Sequence, residues 1–344
     1  MNLLWNDIQA QGANLSSVIA HLYGPERARL ETASRFLNND RPIVFTGVAS
    51  AAYLCHPAEY FLNTRGRFAS VVYTADALYT HLPVLEHANV VINTRSGETA
   101  EIVRLAEALK ERGIPFVAIT NEPESTAAKL ATHIVWTNTR KDDLVSINIV
   151  TSMMTTTLML AAAAIGELDS LRGSFESLPG QMDSVLTASL QRADEIYAMF
   201  ANIRPIHLLY RGALKGAAYN ARLVLEEVAR TPAIPVEGAE FRQGPNEVVD
   251  ERFGALVFIP GGKPGALTRL LADDIQRSGG RAFTIGNANN FSLPNIPDEF
   301  LSILAVVPTQ VLAYKLAEAQ GYAPGTTRYI TKVIVAEEGI PNAY

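Results

Sequence analysis

The chain of 344 residues contains one cysteine, Cys55. It cannot close an internal disulfide, and no second thiol is present to build a thiolate metal site. Histidine is sparse as well. His21, His56, His81, His87, His133 and His207 are scattered, without an HExxH or similarly spaced ligand set, so neither a metal nor another resident cofactor is expected. His133 and His207 fall in or beside apolar strand-like runs, where a structural histidine is the expected role. Basic clusters are missing too. With a formal charge of −6, the chain offers no polyanion-binding surface, which argues against nucleic acid and anionic membrane as partners.

No bilayer-spanning segment is expected. The most apolar stretch, residues 153–165, is interrupted by Thr155, Thr156 and Thr157 and reads as a buried helix. The opening Met1-Asn2-Leu3-Leu4-Trp5-Asn6-Asp7 has no cationic region leading into an apolar core, so no secretory signal is read and a cytoplasmic location is expected. No Gly-x-Ser-x-Gly elbow occurs, and nothing around Cys55 suggests a nucleophile.

What is present is an alternation. Short β-branched runs separated by helical patterns recur through both halves. Strands are expected at 43–46, 70–73, 90–94, 116–120 and 133–136, then near 206–210, 233–236, 256–260, 282–285 and 304–306. Continuous apolar strands separated by helices indicate parallel sheets covered on both faces. Two doubly wound five-stranded α/β units in tandem fit this pattern, over residues 1–170 and 171–344. The connection, roughly 166–192, is helical and polar, with Pro179-Gly180 as an expected break.

The most informative stretch is Asn93-Thr94-Arg95-Ser96-Gly97-Glu98-Thr99. It follows the apolar run 88–92 and precedes an amphipathic one, 100–112. A strand that breaks into hydroxyl residues and glycine before a helix makes a phosphate-sized anion site, because free amides and the positive end of the helix dipole face the turn. Thr94, Ser96 and Thr99 add hydroxyl donors. The same stretch also reads as an ordinary capped turn, with Ser96 or Thr99 as N-cap. No lysine follows Gly97, so this is not a Walker loop, and no dinucleotide fingerprint is present. Ligands of open parallel sheets bind outside the carboxyl ends of the strands. Gly47-Val48-Ala49-Ser50 is a second hydroxyl-bearing loop at such an end. Its counterparts in the second half, Tyr210-Arg211-Gly212 and Pro260-Gly261-Gly262-Lys263-Pro264, carry no Ser/Thr cluster. One phosphate site per chain is therefore expected, in the first half.

Three segments together, Thr94–Thr99, Glu240-Phe241-Arg242-Gln243-Gly244-Pro245 and the tail around Lys332, resemble the double sugar isomerase (SIS) domain family. That family includes the isomerase half of glucosamine-6-phosphate synthase and the fructosamine-6-phosphate deglycases. The resemblance implies tandem SIS domains and proton transfer at C1/C2 of an amino-sugar or fructosamine 6-phosphate. It implies Ser50, Thr94, Ser96 and Thr99 as phosphate ligands, with Arg95, at a position that is Gln in the synthase, adding charge. It implies Glu227 as catalytic base, sixteen positions before Gln243, and Lys332 as the lysine of a tail that closes over the sugar. It also implies a homodimer in which Gln243 reaches a neighbouring subunit's site.

The sequence departs from that pattern at two points. Gln243 stands where the family has a histidine; it can hydrogen-bond a sugar hydroxyl but cannot exchange a proton near neutral pH. Val224 stands where the synthase has a lysine. Residue 2 is Asn, not a nucleophilic Cys, so no glutaminase activity is expected. A carboxylate partly buried among Leu223, Val224 and Leu225 could still move the proton alone. Deglycase or deaminase chemistry asks least of the missing histidine. The alternatives are a phosphosugar-binding regulator without turnover and an ammonia-dependent amino-sugar phosphate synthase or isomerase.

Overall fold

The computed structural model describes residues 2–143, 145–287, 290–329 and 333–337. The chain forms two compact units. One comprises Ala13–Asp142, Ser146–Pro179 and Thr327–Tyr344; the other comprises Met1–Gly12, Asp143–Val145 and Gly180–Thr326. The two chain ends are thus exchanged: the first twelve residues cluster with the second-half unit, and the tail with the first-half unit.

The first-half unit holds a parallel sheet of β1 (Ile43–Gly47), β2 (Ala69–Tyr73), β3 (Asn89–Thr94), β4 (Phe116–Thr120) and β5 (His133–Trp136), in the order β2-β1-β3-β4-β5. Every residue of β1, β3 and β4 is buried, as expected for strands covered on both faces. The helix Ala100–Glu111 lays Ile102, Leu105, Ala106 and Leu109 on Val90, Ile92 and Phe116; that helical spacing is what makes it a cover for the sheet. The helix Asn148–Ala164 is buried almost throughout. Its threonines are tolerated because each hydroxyl donates one turn back: Thr155 to the Thr151 carbonyl at 2.8 Å, Thr156 to Ser152 at 2.9 Å and Thr157 to Met153 at 2.7 Å.

The second-half unit repeats the plan with β6 (Ile206–Tyr210), β7 (Ala233–Glu237), β8 (Gly254–Ile259), β9 (Arg281–Gly286) and β10 (Phe291–Ser292), in the order β10-β9-β8-β6-β7. The strand expected at 304–306 is not one. Leu304, Ala305 and Val306 lie inside the helix Asp298–Ala319, and the fifth strand is β10. A short apolar run buried on all sides carries no period to tell strand from helix. That helix is long and apolar enough to cross a membrane, yet 89% of its apolar window is buried. The expected break at Pro179 is absent as well. The helix Arg172–Gln191 runs through it, carried by the buried face Phe175, Leu178, Met182 and Val185.

Packing in this unit has a consequence for pH. His207 on β6 stacks on Phe253 at 4.5 Å and meets Phe241 edge-on at 6.1 Å, while its Nδ1 is buried without a hydrogen-bond partner. Burial holds its pKa below the ordinary value of 6.5. The unfolded chain therefore takes up a proton that the folded one refuses. This contribution to stability is complete above about pH 6.5 and is lost as pH falls below it. Thermal unfolding between pH 5 and 8 should show less acid destabilisation for His207→Phe than for the wild type; parallel curves would refute the assignment.

Candidate functional site

In the first sheet, β1 connects outward to β2, and β3 then returns on the other side of β1. The strand order reverses between β1 and β3, which opens a crevice at their carboxyl ends. Ser50 follows β1, and Thr94 to Thr99 follow β3. The fold brings all five candidate phosphate residues, Ser50, Thr94, Arg95, Ser96 and Thr99, to this one end of one sheet.

The loop after β3 is fastened from beneath. Arg95 O accepts from the Asn121 N–H at 3.2 Å and from the Thr120 hydroxyl at 3.3 Å, and Gly97 O accepts from the Ala127 N–H at 3.1 Å. Gly97 has φ +67°, and a Cβ there would lie 2.0 Å from Ser125 Oγ, so both backbone and packing require glycine. Glu98 turns away to the start of the helix Thr126–Leu130, accepting from Thr126 N–H at 2.7 Å and Thr126 Oγ1 at 2.9 Å. Its charge is committed to that helix start.

The hydroxyls are differently placed. Thr94 Oγ1 accepts from the Gly97 N–H at 3.1 Å and Ser96 Oγ from the Glu98 N–H at 3.3 Å, so each keeps its own proton to donate. Thr99 occupies the N-cap position of Ala100–Glu111, but its side chain makes no capping bond. The capped-turn reading thus gives a position to Thr99 and no job to its hydroxyl. On the β1 side, Ser50 is the first residue of the short helix Ser50–Tyr53. Ala49 before it has φ 47° and ψ −120°, a region costing a non-glycine residue about 1–3 kcal/mol.

Beside the loop lies a cavity of about 170 Å³ lined by Arg95, Ser96, Asn121, Lys141, Ile149 and Val333 among others. Two carboxylates also border it, and each has partners. Glu122 pairs with Lys141 at 2.7 Å. Asp142 accepts from the amides of Ile147, Asn148 and Ile149 at 2.8–3.0 Å and from Asn148 Nδ2 at 2.9 Å, anchoring the start of the buried helix. The tail lies along the same edge. Ile334 O accepts from the Ala100 N–H at 3.1 Å, and Glu337 Oε2 accepts from Tyr79 and Arg104, both at 2.6 Å. Lys332 lies outside the described residues. The wall residues Asn121, Lys141, Asp142 and Val333 were not evident in the sequence, since nothing local marks a residue that reaches a cavity from another element.

Glu227 and Gln243 both belong to the second-half unit. Glu227 is partly buried near the end of the helix Lys215–Ala229, with Val224 and Leu225 buried beside it. Gln243 is exposed in the turn after Gly238–Phe241, its N–H donating to Glu240 O at 2.9 Å. In this unit the loop corresponding to Thr94–Thr99 shrinks to Pro260-Gly261. The Gly261 N–H is already bonded to the Asp298 carboxylate, at 3.0 and 3.2 Å. Among the described residues, no group of three His, Cys, Asp or Glu side chains is placed to hold a metal ion.

The segment carrying the crevice, residues 36–165, matches the family model described as the SIS domain. The matched segment spans the whole first sheet, β1 to β5. A glutamine–fructose-6-phosphate aminotransferase (isomerizing) from Pyrococcus horikoshii is 24% identical over 331 residues, covering 92% of this chain and 55% of the relative. The chain spans about half the length of the curated relatives it matches. Among solved structures, a tagatose-6-phosphate ketose/aldose isomerase from Escherichia coli superposes with a TM-score of 0.82 at 19% identity, covering 94% of this chain and 95% of that one. A glucosamine-6-phosphate deaminase from Thermotoga maritima gives 0.80 at 18%, covering 96% and 99%. The fold, two five-stranded α/β units in tandem, is thus shared with both structures.

Proposed function

We propose that the chain is an enzyme that moves a proton between C1 and C2 of an amino-sugar or fructosamine 6-phosphate. The observation that carries this reading is the strand-order reversal between β1 and β3, at whose carboxyl ends the chain carries Ser50, Thr94, Ser96 and Thr99, the last at a helix start. Three proteins named for sugar phosphates share the sequence or the fold, which supports the ligand class. The occupied Gly261 N–H and the short second loop support one phosphate site per chain.

In this reading Glu227 takes a proton from C1 of the ketosamine and returns it to C2. The resulting imine is hydrolysed by water, giving an aldose 6-phosphate and the free amine. Gln243 holds a sugar hydroxyl, and Lys332 closes the site from the tail. The loop 242–248 is exposed throughout, with Val248 55% exposed, which supports a homodimer where Gln243 serves the neighbouring subunit. A cytoplasmic location belongs to the same reading.

The test is a product assay with fructose 6-phosphate, glucosamine 6-phosphate and fructoselysine 6-phosphate. Free amino acid from the third substrate is the expected result and identifies a deglycase; ammonia from the second identifies a deaminase. Tight binding with no product from any of them would instead favour a phosphosugar-binding regulator, a reading motivated by the non-titrating Gln243. An ammonia-dependent synthase fits least, given Val224 and Gln243.

A further inference from the structure

Asn93 is fully buried at the next-to-last position of β3. The β1–β3 ladder ends at Thr46 and Ile92, so beyond it no backbone pairing ties the two strand ends together. Asn93 continues the connection by its side chain. Its Nδ2 donates to Ala51 O at 2.8 Å, joining β3 to the short helix that begins with Ser50. A carbonyl can only accept, so chemistry fixes which end of the amide faces Ala51.

The arrangement is costly on both sides of the crevice. Asn93 Oδ1 is left buried with no hydrogen-bond partner. The neighbouring Cys55 thiol, a weak donor, directs its hydrogen bond to Ala51 O at 3.4 Å. A leucine of similar shape would avoid the buried polar atom altogether. Opposite, Ala49 sits at φ 47°, held there because Ala51 N–H donates to Val48 O and Ala52 N–H to Ala49 O, each at 3.0 Å. Gly47 permits this close return of the chain, since a Cβ there would lie 2.6 Å from the Ala51 carbonyl carbon. Two local sacrifices of stability therefore flank the same opening. Strain and unmet polar groups of this kind persist where they preorganise a site.

We propose that Asn93 is a positioning residue of the phosphate site: its amide holds the Ser50 loop in register with the Thr94–Thr99 loop. The role rests on the sugar-phosphate reading of the crevice. Asn93 touches no ligand; it fixes the separation of the two sets of hydroxyls that do.

The experiment compares wild type, Asn93→Leu and Ala49→Gly for melting temperature, for calorimetric affinity toward fructose 6-phosphate and fructose, and for amide exchange in the ligand-free protein. Asn93→Leu should melt at or above the wild-type temperature, yet bind fructose 6-phosphate about tenfold more weakly with fructose unchanged. Amides of Ala51 and Ala52 should exchange faster. Ala49→Gly should likewise raise the melting temperature and weaken the phosphorylated ligand. A purely structural Asn93 would lose stability and affinity together, and that result, or a variant that does not fold, overturns the proposal. Unchanged affinity in Asn93→Leu overturns it while leaving the sugar-phosphate reading intact. A wild type that binds fructose and fructose 6-phosphate alike overturns the reading itself, and the role of Asn93 with it.

Discussion

Glu227→Gln is expected to lower turnover by about 10³-fold or more while leaving the affinity for a 6-phosphosugar within about threefold of wild type. The substitution keeps the shape and hydrogen-bonding capacity of the side chain and removes only its ability to carry a proton. In the proposed chemistry that proton leaves one carbon and arrives at its neighbour, and Gln243 cannot take it over. The whole transfer then depends on one carboxylate. The test is single-turnover product formation beside calorimetric binding, so that a lost step is not mistaken for lost substrate. Retained turnover would remove Glu227 from the chemistry. Loss of binding and turnover in proportion would show instead that it holds the substrate.

The second large effect concerns the loop. Ser96→Ala combined with Thr99→Ala should weaken phosphorylated ligands by about 10²-fold or more and leave unphosphorylated analogues unaffected. Each hydroxyl-to-phosphate bond has a charged acceptor and contributes about 1.5–3 kcal/mol, so losing two exceeds the roughly 1.4 kcal/mol that corresponds to one decade of affinity. Neither side chain supports the fold strongly. Thr99 makes no capping bond, and Ser96 accepts a single 3.3 Å bond from the Glu98 amide. The melting temperature should therefore move little. Equal weakening of phosphorylated and unphosphorylated sugars would remove the phosphate site from this loop.

The sequence by itself determined the fold class and most of its strands, because apolar runs separated by amphipathic helices leave few ways to cover a parallel sheet. It also determined which loop carries the hydroxyls, since Thr94, Ser96, Gly97 and Thr99 stand within six consecutive residues. Its errors have local causes. At 304–306 a run buried on every side has no period, so strand and helix look alike until the helix Asp298–Ala319 is seen whole. At Pro179 a proline signals a break, and only the buried face on both sides of it carries the helix across.

Tertiary structure alone decided what surrounds the loop. Strand order places Ser50 beside it, the tail supplies Val333 and Ile334 from the far end of the chain, and Asp298 takes the amide that would face an anion in the second unit. Asn93 illustrates the difference most plainly. In the sequence it is one polar residue near the end of an apolar strand. Its link to Ala51 spans 42 positions and exists only because two parallel strands end side by side. A residue's neighbours along the chain fix its local conformation, but the partners that position a site come from distant segments, and only folding brings them within hydrogen-bond reach.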